Sequence, residues 1–336
     1  MTLTLSVTVA TVIASSWAGA SSTSIVAFNG IGLAYPYALT AHGQYVWIGN
    51  NLGGDERAQV IRVNARTGAH LTIKSPLLTD PYALVSDGTA VWVEDANSFA
   101  AARGNIARID IATGKVTLVR RLTEQVHLAV AGPYLWAANG FNGTLLRINR
   151  TTLATTTIAS PLLDFASGVT ADTHYLWVAR AEGGPLNRGS LTRISLATGA
   201  ITAINSPYFN DPIALTSNGR FVWMPASNHV VVKVDIATGK VTKVSSKSFS
   251  VSIAITSTSR YTYVASDNGN PHPDEDDSYA DISQIDDATG SVHVITSKLI
   301  TSPSEIVVLG SHVWVDNQSS APPGTRPKNL LVRITP

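Results

Sequence analysis

The octet DIATGKVT occupies Asp110–Thr117 and recurs, letter for letter, at Asp235–Thr242. A word of that length written twice in one chain marks a repeated structural unit. Asp110 carries a short carboxylate that can accept hydrogen bonds from its own turn, Gly114 tolerates positive φ, and Val116 begins a strand-forming run. The octet therefore reads as a hairpin turn. Variants of it stand at Arg66-Thr67-Gly68, Ala197-Thr198-Gly199 and Ala288-Thr289-Gly290, while Thr151-Thr152-Leu153 lacks the glycine.

Upstream of the two copies lie YALVSDGTAVWVED and IALTSNGRFVWMPA, which share a frame of apolar run, turn and alternating strand. The same frame recurs around Trp47, Trp92, Trp136, Trp177, Trp223, Tyr263 and Trp314, at spacings of 40 to 51 residues. Seven copies of that period indicate a propeller or a solenoid. Each unit reads as four strands: a short strand A, a strand B around the aromatic, an alternating strand C, and a strand D after the octet turn. The seventh unit stops at strand C, and one extra strand, Ser24–Phe28, precedes the first. Placing that strand in the last unit closes the ring and removes long exposed edges. The expectation is all-β: a seven-bladed β-propeller of four-stranded antiparallel blades, one domain over 24–336, closed by its N-terminal strand.

The chain has 24 basic and 23 acidic residues, so no electrostatic pull toward nucleic acid or membranes is expected. With no cysteine, disulfides, thiolate metal sites and cysteine nucleophiles are excluded. Residues 1–20 form an apolar run ending in Ala18-Gly19-Ala20, which reads as a signal peptide although no Lys or Arg opens it. A secreted protein, extracellular or periplasmic, follows as the expectation. No second apolar span follows, so the mature chain should not cross a membrane, and a monomer is expected.

The units VWV…ARIDIATGKV and VWM…VKVDIATGKV resemble those of the secreted bacterial seven-bladed propellers of the YVTN-repeat and streptogramin-lyase-like group. For the lyases, that resemblance implies a metal-assisted ring-opening elimination with a histidine base, carried by a Pro-His-Gly/Ala-Ile motif at the start of strand A. The matching positions here read Pro36-Tyr37-Ala38-Leu39, Pro81-Tyr82-Ala83-Leu84 and Pro212-Ile213-Ala214-Leu215. His127 alone supplies a histidine there, without the proline, and the lyases' Trp-Phe-Thr-Glu motif is missing from strand B.

Seven-fold repetition is an internal control, because a residue present in every blade is there for the blade. The Trp47 series is core packing. Arg62, Arg108, Arg147, Arg193, Lys233 and Arg333 share a strand C register, with Gln284 in the sixth blade, and should reach neighbouring blades or solvent. Residues that break the pattern are the functional candidates. Aligned at the start of strand A, the blades offer Tyr37, Tyr82, His127, Ser167, Ile213, Ile253 and Glu305. Two residues after the strand B aromatic stand Gly49, Glu94, Ala138, Ala179, Pro225, Ala265 and Asp316. Tyr37, Tyr82, Glu94, His127, Glu305 and Asp316 thus gather on blades seven to three as candidate ligand-binding residues.

Such a mouth suits a small polar ligand such as a sugar or peptide; the bland alternative is a polar lining for channel water. An extracellular protein is the other partner expected. The main reading is a non-catalytic binding module. The alternative is a metal-assisted lyase or lactonase with His127 as general base and Glu305 or Glu94 as acid or ligand to Mg²⁺ or Ca²⁺. No metal site is read from spacing: the acidic run Asp274–Asp277 matches no EF-hand loop. Five residues before the strand C series, Arg57, Arg103, Asn142, Arg188, Asn228, Tyr279 and Lys328 form a second layer that could steer an anion.

Overall fold

The octet folds as a turn in both copies. Asp110 Oδ1 accepts from the Thr113 amide at 2.9 Å and the Thr113 hydroxyl at 2.8 Å, and Gly114, at φ +71°, donates to the Asp110 carbonyl at 2.8 Å. Asp235, Thr238 and Gly239 repeat the arrangement, with Gly239 at φ +70°. Strand D follows at once, from Val116 in one copy and Val241 in the other. In the unit that lacks the glycine, Leu153 holds the left-handed position at φ +60°.

The structure, a computed structural model, describes residues 23–52, 58–96, 104–182, 188–267, 280–318 and 329–336. The leader 1–20, the acidic run at 274–277, and Arg57, Arg103, Tyr279 and Lys328 lie outside them. The strands form seven four-stranded antiparallel sheets. The first blade has strands A to D at Tyr35–His42, Tyr45–Asn51, Gln59–Asn64 and His70–Lys74. The second has them at Pro81–Ser86, Ala90–Asp95, Asn105–Asp110 and Val116–Arg121, and the third at Val126–Ala131, Tyr134–Asn139, Thr144–Asn149 and Thr155–Ala159. The seventh supplies Pro303–Leu309, His312–Asn317 and Leu330–Thr335, and the N-terminal strand Ser24–Phe28 pairs with the last of these, from Ser24 opposite Thr335 to Phe28 opposite Leu331. Ring closure by the N-terminus is therefore as expected. Among the described residues no helix is long and apolar enough to cross a membrane.

The core is a set of seams between adjacent blades. Trp47 packs with Val60 and Ile73 of its own blade and with Val91, Val93 and Ile109 of the next. Trp314 and Phe28, ring centroids 5.1 Å apart, join Ile48, Ile61 and Val63 across the closing seam. Two indoles are also satisfied by hydrogen bonds, Trp92 to Asp87 at 2.9 Å and Trp177 to Asp172 at 2.7 Å.

The strand C cations bridge the seams. The Arg62 guanidinium lies 4.6 Å from the Tyr45 ring centroid and donates to the Ile111 carbonyl of the next blade at 3.1 Å. Arg333 does the same over Trp314 and to the Ala65 carbonyl. Gln284, the exception, donates to the Tyr263 hydroxyl.

Candidate ligand-binding site

Antiparallel blades put the start of every strand A and the end of every strand B on one face, around the channel that the A strands line. A cavity of about 510 Å³ opens there. Tyr37, Tyr82, His127, Ser167 and Glu305 line one arc, while Ile213, Ile253 and Ile255 line the arc of the fifth and sixth blades. The same face exposes Tyr35 and Val251 at the starts of their A strands and Phe165 just before its own.

The strand ladders correct the alignment that placed all seven residues in one ring. The A–B ladder skips a residue between Pro36 and Ala38, between Pro81 and Ala83, and between Ser252 and Ala254. Tyr37, Tyr82 and Ile253 are therefore β-bulge residues, turned out of the pairing. In the seventh blade the skipped residue is Ser304, and Glu305 pairs with Asp316 as Ala38 pairs with Gly49. The third blade has no bulge, and His127 pairs with Ala138. Glu305 and His127 thus share the register of Ala38 and Ala83, one step from the tyrosines. A bulge inserts one unpaired residue, so strands aligned by their first residues stand one step apart where one blade is bulged and another is not.

The consequence is a two-level site. Tyr37 and Tyr82 stand at the rim, 42% and 46% exposed. Glu305 and His127 sit lower, open to the cavity yet enclosed by protein. Burial pushes the Glu305 carboxyl up to about 8, with the neighbouring Asp316 carboxylate pushing the same way and the Ile306 amide, donating at 3.0 Å, offsetting part. Burial also lowers the His127 pKa, against the Ala166 carbonyl, which favours the charged form. At neutral pH the arc therefore presents a protonated carboxyl, a neutral imidazole and two phenols. It is polar but uncharged.

Glu94 and Asp316 do not line the cavity. Both are wholly buried, because the position two residues after the strand B aromatic points into the seam with the next blade. In the first blade that seam is closed against backbone: a Cβ on Gly49 would stand 2.6 Å from the Pro81 carbonyl oxygen. Burial raises Glu94 to about 8, reinforced by Asp95 and Asp80. The Val126 amide offsets part of this at a geometry that completes no hydrogen bond to either Glu94 oxygen. Asp316 is raised by burial to about 7, although its Oδ1 accepts from the Ser304 and Glu305 amides. Its role is to hold the chain that presents Glu305.

The next position along strand B, which the sequence reading passed over, fixes the mouth loops. Asn50 accepts from the Ala34 and Tyr35 amides at 2.8 and 3.2 Å. Asp95 accepts from Thr79 and Asp80, and Asn317 from Thr301 and Ser302. The signal was legible as an Asn or Asp three residues after Trp47, Trp92 and Trp314.

A divalent cation does not fit this donor set. Glu305 is the one carboxyl in the cavity lining and burial keeps it protonated near neutrality, while Asp316 is committed to backbone amides. Among the described residues no group of three or more His, Asp or Glu side chains is placed to share an ion.

No family model matches the chain, and no curated protein matches it. Among solved structures it is similar to virginiamycin B lyase from Staphylococcus aureus, with a TM-score of 0.68 at 16% identity over 94% of this chain and 99% of that one. It is also similar to the computationally designed Ika8 protein, with a TM-score of 0.60 at 15% identity over 93% and 92% of the two chains. At these identities the likeness is one of fold: the chain is a seven-bladed propeller, the sheets of which follow one another around the ring.

Proposed function

We propose that the protein is a binding module that takes a small, neutral, polar ligand, such as a sugar or a short peptide, into the channel mouth. The observation that carries this reading is the division of the cavity. An uncharged hydrogen-bonding arc of Tyr37, Tyr82, His127 and Glu305 faces the isoleucines of the fifth and sixth blades. A ligand with one hydroxyl- or amide-rich edge and one apolar edge satisfies both sides, and a fully charged one is left without a counter-charge. The apolar leader with its Ala-Gly-Ala end supports secretion, so the ligand would be met outside the cytoplasm. The test is a thermal-shift panel of neutral mono- and disaccharides, short peptides, Mg²⁺ and Ca²⁺. Stabilisation by a neutral probe, lost in Tyr37→Ala/Tyr82→Ala, supports the reading; a response to the cations alone refutes it.

A second reading, a lyase or lactonase, has one observation behind it. A neutral His127 beside the same cavity as a protonated Glu305 gives the protonation states of a general base and a general acid. The virginiamycin B lyase likeness makes cyclic esters the substrates to try. Turnover abolished by His127→Ala would establish it, and turnover unchanged in that variant would remove it.

A further inference from the structure

A second groove, on the outer side of the same face between the second and third blades, breaks the ring's symmetry in three ways. First, the C–D ladder of the second blade shifts register between Ile106 and Ala107, whereas the outermost ladders of the other six blades run without a shift. The extra residue is Val119, and the bulge re-aims the two that follow, Arg120 and Arg121. Second, the connection to the third blade runs over 122–125, against 75–80 and 297–302 elsewhere. It lacks the serine that caps those longer turns, as Ser75 caps Leu77 and Ser297 caps Leu299. Third, Asn139 stands in the register of Asn50 and Asn317, which clamp the loop before their own blade. Asn139 instead accepts from Phe141 and Asn142 ahead of it.

Together these open a cavity of about 220 Å³, walled by Arg120, Arg121, Glu124, Asn139, Asn142 and Thr144. Both arginines are exposed and neither pairs with an acid among the described residues. Glu124 Oε2 is buried there without a hydrogen-bond partner. Leu146, partly exposed, gives the cavity an apolar patch. Arg120 and Arg121 both belong to the cavity wall, and a guanidinium binds a planar carboxylate through paired N–H donors. The unpartnered Glu124 oxygen, the amides and the threonine hydroxyl call for hydroxyl groups, and the apolar patch for the face of a ring. The volume holds about seven waters' worth of liquid, the scale of one sugar ring.

We propose that this groove binds a hexuronate, as a free sugar acid or as one unit of a uronate chain. The site is separate from the channel mouth, so it stands or falls apart from the function proposed above. The experiment is calorimetric titration of the full chain with D-galacturonate, D-glucuronate, trigalacturonate, D-galactose and D-glucose. The expected result is saturable binding of at least one acid that weakens as NaCl is raised, with neutral sugars weaker by about tenfold or more. Arg120→Gln/Arg121→Gln should lose that binding by a similar factor at an unchanged unfolding midpoint, and Tyr37→Ala/Tyr82→Ala should keep it. A trimer bound more tightly than the monomers identifies a chain as the source, and equal affinities identify the free acid. No saturable binding of any acid, equal binding of neutral sugars, or binding indifferent to the arginines would overturn the proposal.

Discussion

Replacing Glu94 by Gln should change how stability depends on pH. The wild-type carboxyl titrates near 8 in the folded protein, against an ordinary value of 4.5. Between those two values the folded chain holds a proton that the unfolded chain has released, so this group's contribution falls as pH rises. The slope is about 1.4 kcal/mol per pH unit, and the total lost by pH 8 is about 5 kcal/mol. Below pH 4.5 the contribution is fully present, and above 8 the loss is complete. Glutamine keeps the shape of the protonated acid and cannot ionise. The variant should therefore match the wild type within about 1 kcal/mol at pH 5 and exceed it by several kcal/mol at pH 9. Glu305 and Asp316 retain their own slopes in both proteins, since their pKa values are raised in the same direction. Urea unfolding followed by tryptophan fluorescence at five pH values between 5 and 9 measures the difference. Parallel stability profiles for the two proteins would show that the Glu94 seam is hydrated, and would refute the reasoning.

Three further outcomes follow from the scaffold. Gly239→Ala should cost about 1 kcal/mol in urea unfolding, all of it backbone strain, because the new Cβ meets nothing within 4 Å at φ +70°; a neutral result would contradict the turn assignment. Asp87→Ala removes the partner of Arg150, at 2.8 Å, and of the Trp92 indole, and should cost about 2–3 kcal/mol at pH 7. The ion pair and hydrogen bonds hold the Asp87 carboxyl well below its usual range, so the difference should shrink as pH falls below 3.8. Deleting the N-terminal strand through Phe28 exposes the edge of Leu330–Thr335 and uncovers Trp314, so size-exclusion chromatography should show association or aggregation. A truncated chain that stays monomeric and equally stable would count against ring closure.

The fold was legible because its determinants repeat. The Asp110 turn, the buried tryptophans and the strand C cations each recur often enough to be aligned by eye, and one strand left over at the N-terminus with one missing from the last unit implied closure. The site was legible only in part. Tyr37, Tyr82, His127 and Glu305 reach the cavity, but the β-bulges that lift the tyrosines out of register leave no mark in composition or periodicity. Glu94 and Asp316 stand out in the sequence because they break the pattern two residues after the strand B aromatic, on the blades that also carry the strand A candidates. The direction of the strand pleat, and not the chemistry of the side chain, sends them into the seams. The groove behind Arg120 was hidden for a related reason, since it depends on a short connection and a bulge that compensate each other within one unit.

The most direct test of the proposed binding function compares thermal shifts at pH 6.5 for the wild type, Glu305→Ala/His127→Ala and Arg120→Gln/Arg121→Gln against the neutral sugar and peptide panel. The division of the channel predicts that at least one neutral probe raises the wild-type midpoint, that the first variant loses the rise, and that the second keeps it. A panel that leaves the wild type unmoved, or a rise that survives the loss of Glu305 and His127, would contradict it.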